Sequence, residues 1–147
     1  MRWDFPKQTI LGFGKENGER IGDCFRCCIA AVLQRPAIEV PHFVEIGEQT
    51  GKSADALAQK WLHEQGYWLL KSDVTSLYGP PFYISRYAED PVDVLPVICC
   101  GPTVRSKKPT NTHCVVMDGE TVLYDPHPSE AGLLAVTSRY LIVPHLE

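Results

Sequence analysis

The pattern of apolar and polar positions predicts helices in the first half of the chain. Residues 27–33, CCIAAVL, are apolar on every side, which is typical of a central helix that the rest of the fold covers. Asp23 precedes this segment and is expected to cap the helix, because its side chain can accept a bond from an exposed backbone N–H. Pro36 is expected to stop it.

Two further helical segments are predicted before the middle of the chain. Residues 41–50 favour a short helical turn. Ser53 is then a suitable N-cap for a stronger helix, whose apolar residues follow the helical period, and Gly66 fits its C-terminal end.

The second half of the chain predicts strands. Residues 8–13 are read as a short strand or an extended approach, and residues 72–94 give no assignable pattern. The predicted strands are 67–71, 95–100, the two arms of a hairpin within 113–125 that turns at Asp118–Gly119, and 138–144. We therefore expect one α+β domain over residues 1–147, with a helical N-terminal part packed on a C-terminal antiparallel sheet.

The hairpin has two possible registers, which differ in where they place His113 and Asp125. If residues 118–120 form the loop, the two side chains lie directly opposite each other on one face of the sheet. If Asp118–Gly119 form a two-residue loop, Asp125 falls on the opposite face. A β-bulge can restore the pairing. The sequence leaves both registers open.

Composition and charge narrow the class of protein. The chain has 147 residues, of which 44% are hydrophobic and 22% charged, and its formal net charge is -4. An acidic balance does not suggest a general nucleic-acid or anionic-membrane surface. The longest apolar run, 27–33, is too short to span a bilayer, and the N-terminus does not resemble a secretion signal. We expect a cytoplasmic protein with no membrane span, whose six cysteines are free thiols.

One cysteine is placed for chemistry. Cys24 stands at the first turn of the predicted helix, where the helix dipole and unpaired N–H groups favour a thiolate. A histidine approaching from the sheet, His113, would complete a Cys-His pair, and Asp125 would orient the imidazole. The competing interpretations are that Cys24 packs in the core and that Asp125 is a turn residue before Pro126. The other cysteines are interpreted as buried small hydrophobic residues: Cys27, Cys28, Cys99, Cys100 and Cys114.

Three segments together resemble a known group of proteins. They are Gln8-Thr9, residues 22–43 (GDCFRCCIAAVLQRPAIEVPHF) and residues 112–133 (THCVVMDGETVLYDPHPSEAGL). They look like small bacterial and phage proteins of papain-like fold, which are similar to the cysteine peptidase domains that process double-glycine leader peptides. The resemblance covers about half of the chain, at its two ends, and its third segment is the most specific.

The resemblance implies a role for each matching residue. Cys24 would be the nucleophile, His113 the base, Asp125 the orienting carboxylate and Gln8 an oxyanion-hole donor, beside the backbone N–H of Cys24. The chain departs from the pattern in three ways: Asp23 replaces the usual Asn, Cys114 replaces a small Ala, and Gln8 lies farther upstream than in those peptidases. Gln8 as an ordinary strand residue stays open.

Other polar residues receive weaker assignments. His127, between two prolines, and Asp23, beside the thiol, are expected at the substrate-binding rim. His42 and His63 are interpreted as surface or packing residues. Residues 105–112, RSKKPTNT, form a solvated loop or a flap that meets the substrate, and their three cations favour acidic partners.

The sequence thus predicts a hydrolase of the cysteine protease type, acting on an amide or isopeptide bond of a peptide or protein substrate without cofactor or metal. The alternative from another class is a non-catalytic binding module of the same fold, which the negative charge of Asp23 encourages. A redox pair of Cys24 and Cys27 lacks the preceding strand that such motifs need. A zinc site that adds His113 to this pair lacks a second ligand pair.

Overall fold

The computed structural model describes residues 3–73, 83–84, 93–94 and 96–145. Within these ranges the chain has three α-helices, two short 3-10 helices (Lys15–Asn17 and Ala37–Glu39) and a five-stranded antiparallel sheet, so the predicted α+β class is confirmed. The helices are α1 (Cys24–Leu33), α2 (Phe43–Thr50) and α3 (Ala54–Glu64). The strands are β1 (Tyr67–Asp73), β2 (Tyr83–Ile84), β3 (Asp93–Val94), β4 (Val97–Pro102), β5 (Thr112–Asp118), β6 (Thr121–Tyr124) and β7 (Ser138–Pro144).

The main sheet has the strand order β1-β7-β4-β5-β6, and β2 pairs with β3 in a second, two-stranded sheet. β7 occupies residues 138–144, as predicted, and β1 and β4 overlap their predicted ranges. Residues 8–13 form no strand apart from an isolated bridge between Phe13 and Ile21. Residues 74–82 and 85–92 of the unassigned stretch 72–94 lie outside the described residues. The same is true of residue 95, the first residue of the predicted strand 95–100. No helix in the described ranges is long and apolar enough to cross a membrane.

Helix α1 is the central element, as its composition predicts. It packs against β5, and six of its ten residues are buried: Phe25, Cys27, Cys28, Ile29, Ala30 and Ala31. Its end differs from the prediction, because the helix stops at Leu33 and Gln34 turns into the left-handed region with φ 58° before Pro36 is reached. The carbonyls of Ala30 and Ala31 accept the N–H of Gln34, which closes the last turn.

The N-terminus of α1 corrects a second expectation. Asp23 occupies the N-cap position, but its side chain makes no capping hydrogen bond to the helix. Its Oδ1 instead accepts the backbone N–H of Ile10 at 3.4 Å, on the segment that runs beside it. The first-turn N–H groups of α1 are therefore left without this side-chain acceptor.

The caps of α3 follow the prediction. Ser53 Oγ accepts the N–H of Ala56 at 3.3 Å, and the chain leaves the helix at Gly66, whose φ is 96°. The predicted turn at 41–50 is the full helix α2, which begins after His42. The His42 side chain caps α2 by accepting the N–H of Glu45.

The two faces of the sheet bury different clusters. Ile98, Cys100, Cys114 and Val116 belong to the main core with α1, whereas their neighbours along the same strands point to the other face. That second face buries a smaller cluster, over which the segment before β7 packs: Val97, Cys99, Val115 and Leu141, with Leu133 and Val136 against them.

The hairpin follows neither predicted register. Asp118 pairs with Thr121, so the two-residue loop is Gly119–Glu120, one position later than Asp118–Gly119. A bulge then shifts the register, because Met117 pairs with Val122 while Val116 pairs with Tyr124. Leu123 is the extra residue.

The expectation of six free thiols is wrong for one pair. Cys100 and Cys114 face each other directly across β4 and β5, with Cα atoms 4.3 Å apart, and form a disulfide. Cys24, Cys27, Cys28 and Cys99 are free. The bridge ties the two central strands together beside His113.

Candidate functional site

The structure brings His113 and Asp125 into direct contact. His113 Nε2 lies 2.7 Å from Asp125 Oδ1, and both side chains are buried. The bulge explains the contact. Without it, Asp125 would follow on the face of the sheet opposite to His113, and the extra residue Leu123 turns it to the same face.

Asp125 is both a turn residue and the partner of the histidine. Its Oδ1 also accepts the N–H of His127 at 3.0 Å, and its Oδ2 accepts the N–H of Gly132 at 2.8 Å. Burial raises the pKa of Asp125, but these three hydrogen bonds outweigh burial and lower it to about 2. The carboxylate is therefore charged and held in one orientation.

Cys24 lies close to this pair. It begins α1, is half-buried and lines the same cavity as His113, near enough for its thiol to raise the pKa of the imidazole. Burial lowers the pKa of His113, whereas the hydrogen bond to Asp125 and the nearby Cys24 thiol raise it to about 9 overall. With Nε2–H donated to the carboxylate, Nδ1 is the ring nitrogen left to exchange a proton with the thiol. The arrangement can pass a proton between the thiol and the imidazole.

The remaining free thiols have a different environment. Burial raises the pKa of Cys27 to about 12 and that of Cys99 to about 11, and it raises the pKa of Cys28 strongly. All three are buried, so they pack as small hydrophobic residues, as predicted. The same prediction fails for Cys100 and Cys114, which are bridged.

Gln8 lies in the same cavity as Cys24 and His113. The cavity has a volume of about 340 Å³. The backbone N–H of Gln8 donates to Pro126 O at 2.8 Å, which holds the N-terminal segment beside Asp125. Its side-chain Nε2 donates one hydrogen to Ile10 O at 2.6 Å, and one N–H of this amide remains. A Cβ on Gly22 would lie 3.2 Å from Gln8 Nε2, so glycine there permits the amide to approach the start of α1.

Asp23 and His127 do not line this cavity in the way the sequence suggests. Asp23 is buried beside a second cavity on another side of α1, and its Oδ2 lies 4.0 Å from Arg26 Nη1. His127 packs edge-on to His113, with ring centroids 6.0 Å apart, and its Nδ1 accepts the N–H of Ser129. Burial and the charges of Arg105 and His113 lower the pKa of His127, so this ring is neutral near pH 7.

Two residues that the sequence analysis did not single out also line the cavity. Arg105 and Asn111 belong to the loop between β4 and β5, which the sequence analysis treated as one segment, either a solvated loop or a flap that meets the substrate. The signal available in the sequence was that this loop comes immediately before His113, the candidate base. That signal does not distinguish Arg105 from Lys107 or Lys108. Those two lysines instead pair with Glu19 and Glu16 on the N-terminal segment.

His42 and His63 have packing roles, as interpreted. His42 Nε2 lies 3.1 Å from Ile21 O while the ring caps α2, and the His63 ring stacks on His145. Among the described residues no group of three potential ligands could hold a metal ion. Cys24 and Cys27 are not bridged, and in residues 3–23 the structure shows no strand before them but a loop with a short 3-10 helix at Lys15–Asn17 and the isolated Phe13–Ile21 bridge.

Comparisons of the chain with models of known families, with curated proteins and with solved structures find no match. Any function assigned to the site therefore rests on the geometry of its own residues.

Proposed function

We propose that the protein is a thiol-dependent hydrolase of amide or isopeptide bonds, in which Cys24 is the nucleophile. The observation that carries the proposal is the contact of His113 with the buried carboxylate of Asp125, at a cavity that the helix-borne thiol of Cys24 also lines. The proposal includes a papain-like architecture, because the thiol begins a helix, the other two groups belong to the antiparallel sheet region, and the chain order is Cys, His, Asp.

In the proposed reaction, His113 Nδ1 takes the Cys24 proton and the sulfur attacks the substrate carbonyl carbon. The oxyanion that forms accepts hydrogen bonds from the Cys24 backbone N–H and from the remaining Gln8 N–H. His113 then gives its proton to the leaving amine as the C–N bond breaks, which produces a thioester. Water attacks that thioester with His113 as base, which frees the carboxylic acid and restores the thiol.

Electrostatics support the division of roles. Asp125 is ionised and hydrogen-bonded through both oxygens, so it stabilises the imidazolium and fixes the tautomer. The first-turn N–H groups of α1 have no capping side chain, so they are available to a negatively charged reacting group next to Cys24. No cofactor enters these steps.

The test uses a small activated ester, since the acyl chemistry can be followed without the natural substrate. The protein is treated with p-nitrophenyl acetate near pH 7, nitrophenolate release is measured, and the acetyl adduct is located by mass spectrometry. We expect a burst with one acetyl group on Cys24, which Cys24→Ala abolishes and His113→Gln slows by roughly 100-fold. Cys99→Ala is the matched control and should retain the burst.

The second candidate is a binding module of similar fold without catalysis, which Asp23 favours. Its buried carboxylate adjoins Cys24 in the chain and opposes negative charge on nearby thiols. If Cys24 in the folded protein reacts no faster than a free cysteine with both the ester and iodoacetamide, the hydrolase is excluded and the binding module is favoured.

A further inference from the structure

The charged residues that line the cavity differ in whether they form an ion pair. Asp55 and Lys71 neutralise each other at one end, with Oδ2 and Nζ 2.8 Å apart, and Tyr140 OH donates to the other Asp55 oxygen. Arg105 is the remaining strongly basic group. Within residues 3–73 and 96–145 its guanidinium makes one hydrogen bond, from Nη1 to Ser129 Oγ at 3.0 Å, and no ion pair.

The loop holds Arg105 in a defined place. The Thr103 N–H donates to Ser106 Oγ at 3.0 Å, and Ser106 Oγ–H donates to Asn111 O at 2.6 Å, so the loop closes on itself. Thr103 Oγ1 also donates to Gly132 O at 2.9 Å, which anchors the loop beside Asp125. Because these hydrogen bonds fix the loop, the guanidinium of Arg105 is pre-organised for binding a ligand.

Asn111 adds a second, independent observation. It lines the same cavity, it is 7% exposed, and its Oδ1 is buried with no hydrogen-bond partner in the described part of the chain. A buried amide oxygen of this kind calls for an N–H donor. The backbone N–H of a peptide is such a donor.

We propose that this loop binds an acidic peptide substrate next to the reacting carbonyl. A substrate carboxylate pairs with Arg105, and a substrate backbone N–H donates to Asn111 Oδ1. The proposal rests on the proposed function for its substrate and deepens it by naming the class: peptides with an acidic residue, or a terminal carboxylate, beside the scissile bond. A carboxylate is favoured because it accepts two parallel hydrogen bonds from a guanidinium.

Two alkylating agents of different charge test the cation directly. Iodoacetate carries a carboxylate and iodoacetamide is its neutral counterpart, and both alkylate a thiol. The rate constant of each at Cys24 is measured by mass spectrometry at fixed pH and ionic strength. The ratio of the iodoacetate to the iodoacetamide rate cancels any change in thiolate fraction, so it isolates the recognition of charge.

Arg105→Gln should lower this ratio by about 5- to 10-fold, the effect of removing one partly buried charge near the thiol. Arg105→Lys should retain part of the preference. The matched control is Lys107→Gln, which removes a cation of the same loop that is exposed and paired with Glu19 at 3.1 Å, and should change the ratio less than twofold. An equal ratio in wild type and Arg105→Gln would overturn the proposal.

A binding measurement separates this proposal from the hydrolase. The Cys24→Ala protein, labelled with ¹⁵N, is titrated with N-acetylglutamic acid α-amide and with its neutral isostere N-acetylglutamine amide. The acidic compound should shift the side-chain N–H resonances of Arg105 and Asn111 more strongly than the isostere at the same concentration. If the acidic compound shifts these resonances but Cys24 of the wild type is unreactive, the acidic binding site is supported and the hydrolase is not. If Cys24 is reactive but the acidic compound causes no stronger shifts and the alkylation ratio shows no dependence on Arg105, the hydrolase is supported and the acidic site is excluded.

Discussion

Asp125 Oδ1 lies 2.7 Å from His113 Nε2, and the same carboxylate is held by two backbone N–H groups of its own loop. The carboxylate is thus fixed independently of the histidine and supplies a prepared acceptor for one ring nitrogen. In the proposed mechanism, the chemistry at Cys24 therefore depends on the conformation of the turn that follows β6.

Replacing Asp125 with Asn should lower the pKa of His113. The wild-type pKa is about 9, and without the carboxylate the effect of burial, which favours the neutral ring, should bring it down from that value. The measurement is an NMR titration of the His113 ring C–H resonances between pH 5 and pH 10. Glu130→Gln is the control, because this exposed carboxylate pairs with Lys7 instead. An unaltered titration in Asp125→Asn would refute the coupling.

The stability of the fold should depend on pH at both ends of the scale. The pKa of His113 is raised from 6.5 to about 9, so its contribution is complete below pH 6.5 and is lost as the pH rises through 9. The pKa of Asp125 is lowered from 3.8 to about 2, so its contribution is complete above pH 3.8 and is lost as the pH falls through 2.

We therefore expect the free energy of unfolding, measured by urea denaturation, to contain a contribution of this pair that is largest between about pH 4 and pH 6.5. The difference between the wild type and His113→Gln isolates that contribution. It should shrink between pH 6.5 and pH 9, and a constant difference across that interval would contradict the raised pKa of His113.

Replacing Gln8 with Ala should slow acyl transfer but not alkylation. Acylation by p-nitrophenyl acetate passes through an oxyanion, and loss of one donor to it should cost roughly 10- to 100-fold in rate. Alkylation by iodoacetamide forms no oxyanion, so its rate should change less than twofold. Thr9→Ala, an exposed change on the same segment, controls for general disturbance. Equal slowing of both reactions would show that Gln8 acts through the fold instead.

Reducing the Cys100–Cys114 bridge should destabilise the protein. The bridge joins residues 14 apart in sequence, and closing a loop of about this size contributes about 3 kcal/mol in the chain-entropy view. Urea denaturation with and without a thiol reductant measures the difference. The double variant Cys100→Ala/Cys114→Ala should be insensitive to the reductant, whereas Cys99→Ala should remain sensitive. Equal midpoints for the wild type in the two conditions would exclude the bridge in solution.

Local patterns predicted those parts of the fold that local interactions determine. Ser53 caps α3 because the cap bond spans only three residues, and residues 138–144 form β7 because their apolar pattern suits a buried strand. The central position of α1 follows from a segment that is apolar on every side. His113 and Asp125 were paired correctly as neighbours. The structure has neither of the two registers left open, but a β-bulge of the kind that the sequence analysis allowed restores the pairing.

The features that the sequence did not predict depend on contacts between residues that are far apart in the chain. The disulfide depends on β4 and β5 being aligned so that Cys100 faces Cys114, and a single sequence does not specify that alignment. Asp23 was expected to cap α1, but the N-terminal segment offers its side chain the N–H of Ile10 instead. Arg105 is distinguished from its neighbouring lysines only by where the folded loop places it.

The bulge at Leu123 has a consequence for how variants of this chain should be compared. The number of residues between His113 and Asp125 determines which side of the sheet the carboxylate occupies, so a deletion of one codon in β6 would separate the two groups while preserving every polar side chain. The number of residues between His113 and Asp125 therefore matters as much as their identity. A relative that keeps Cys, His and Asp but is one residue shorter or longer at this point should lack the His–Asp contact.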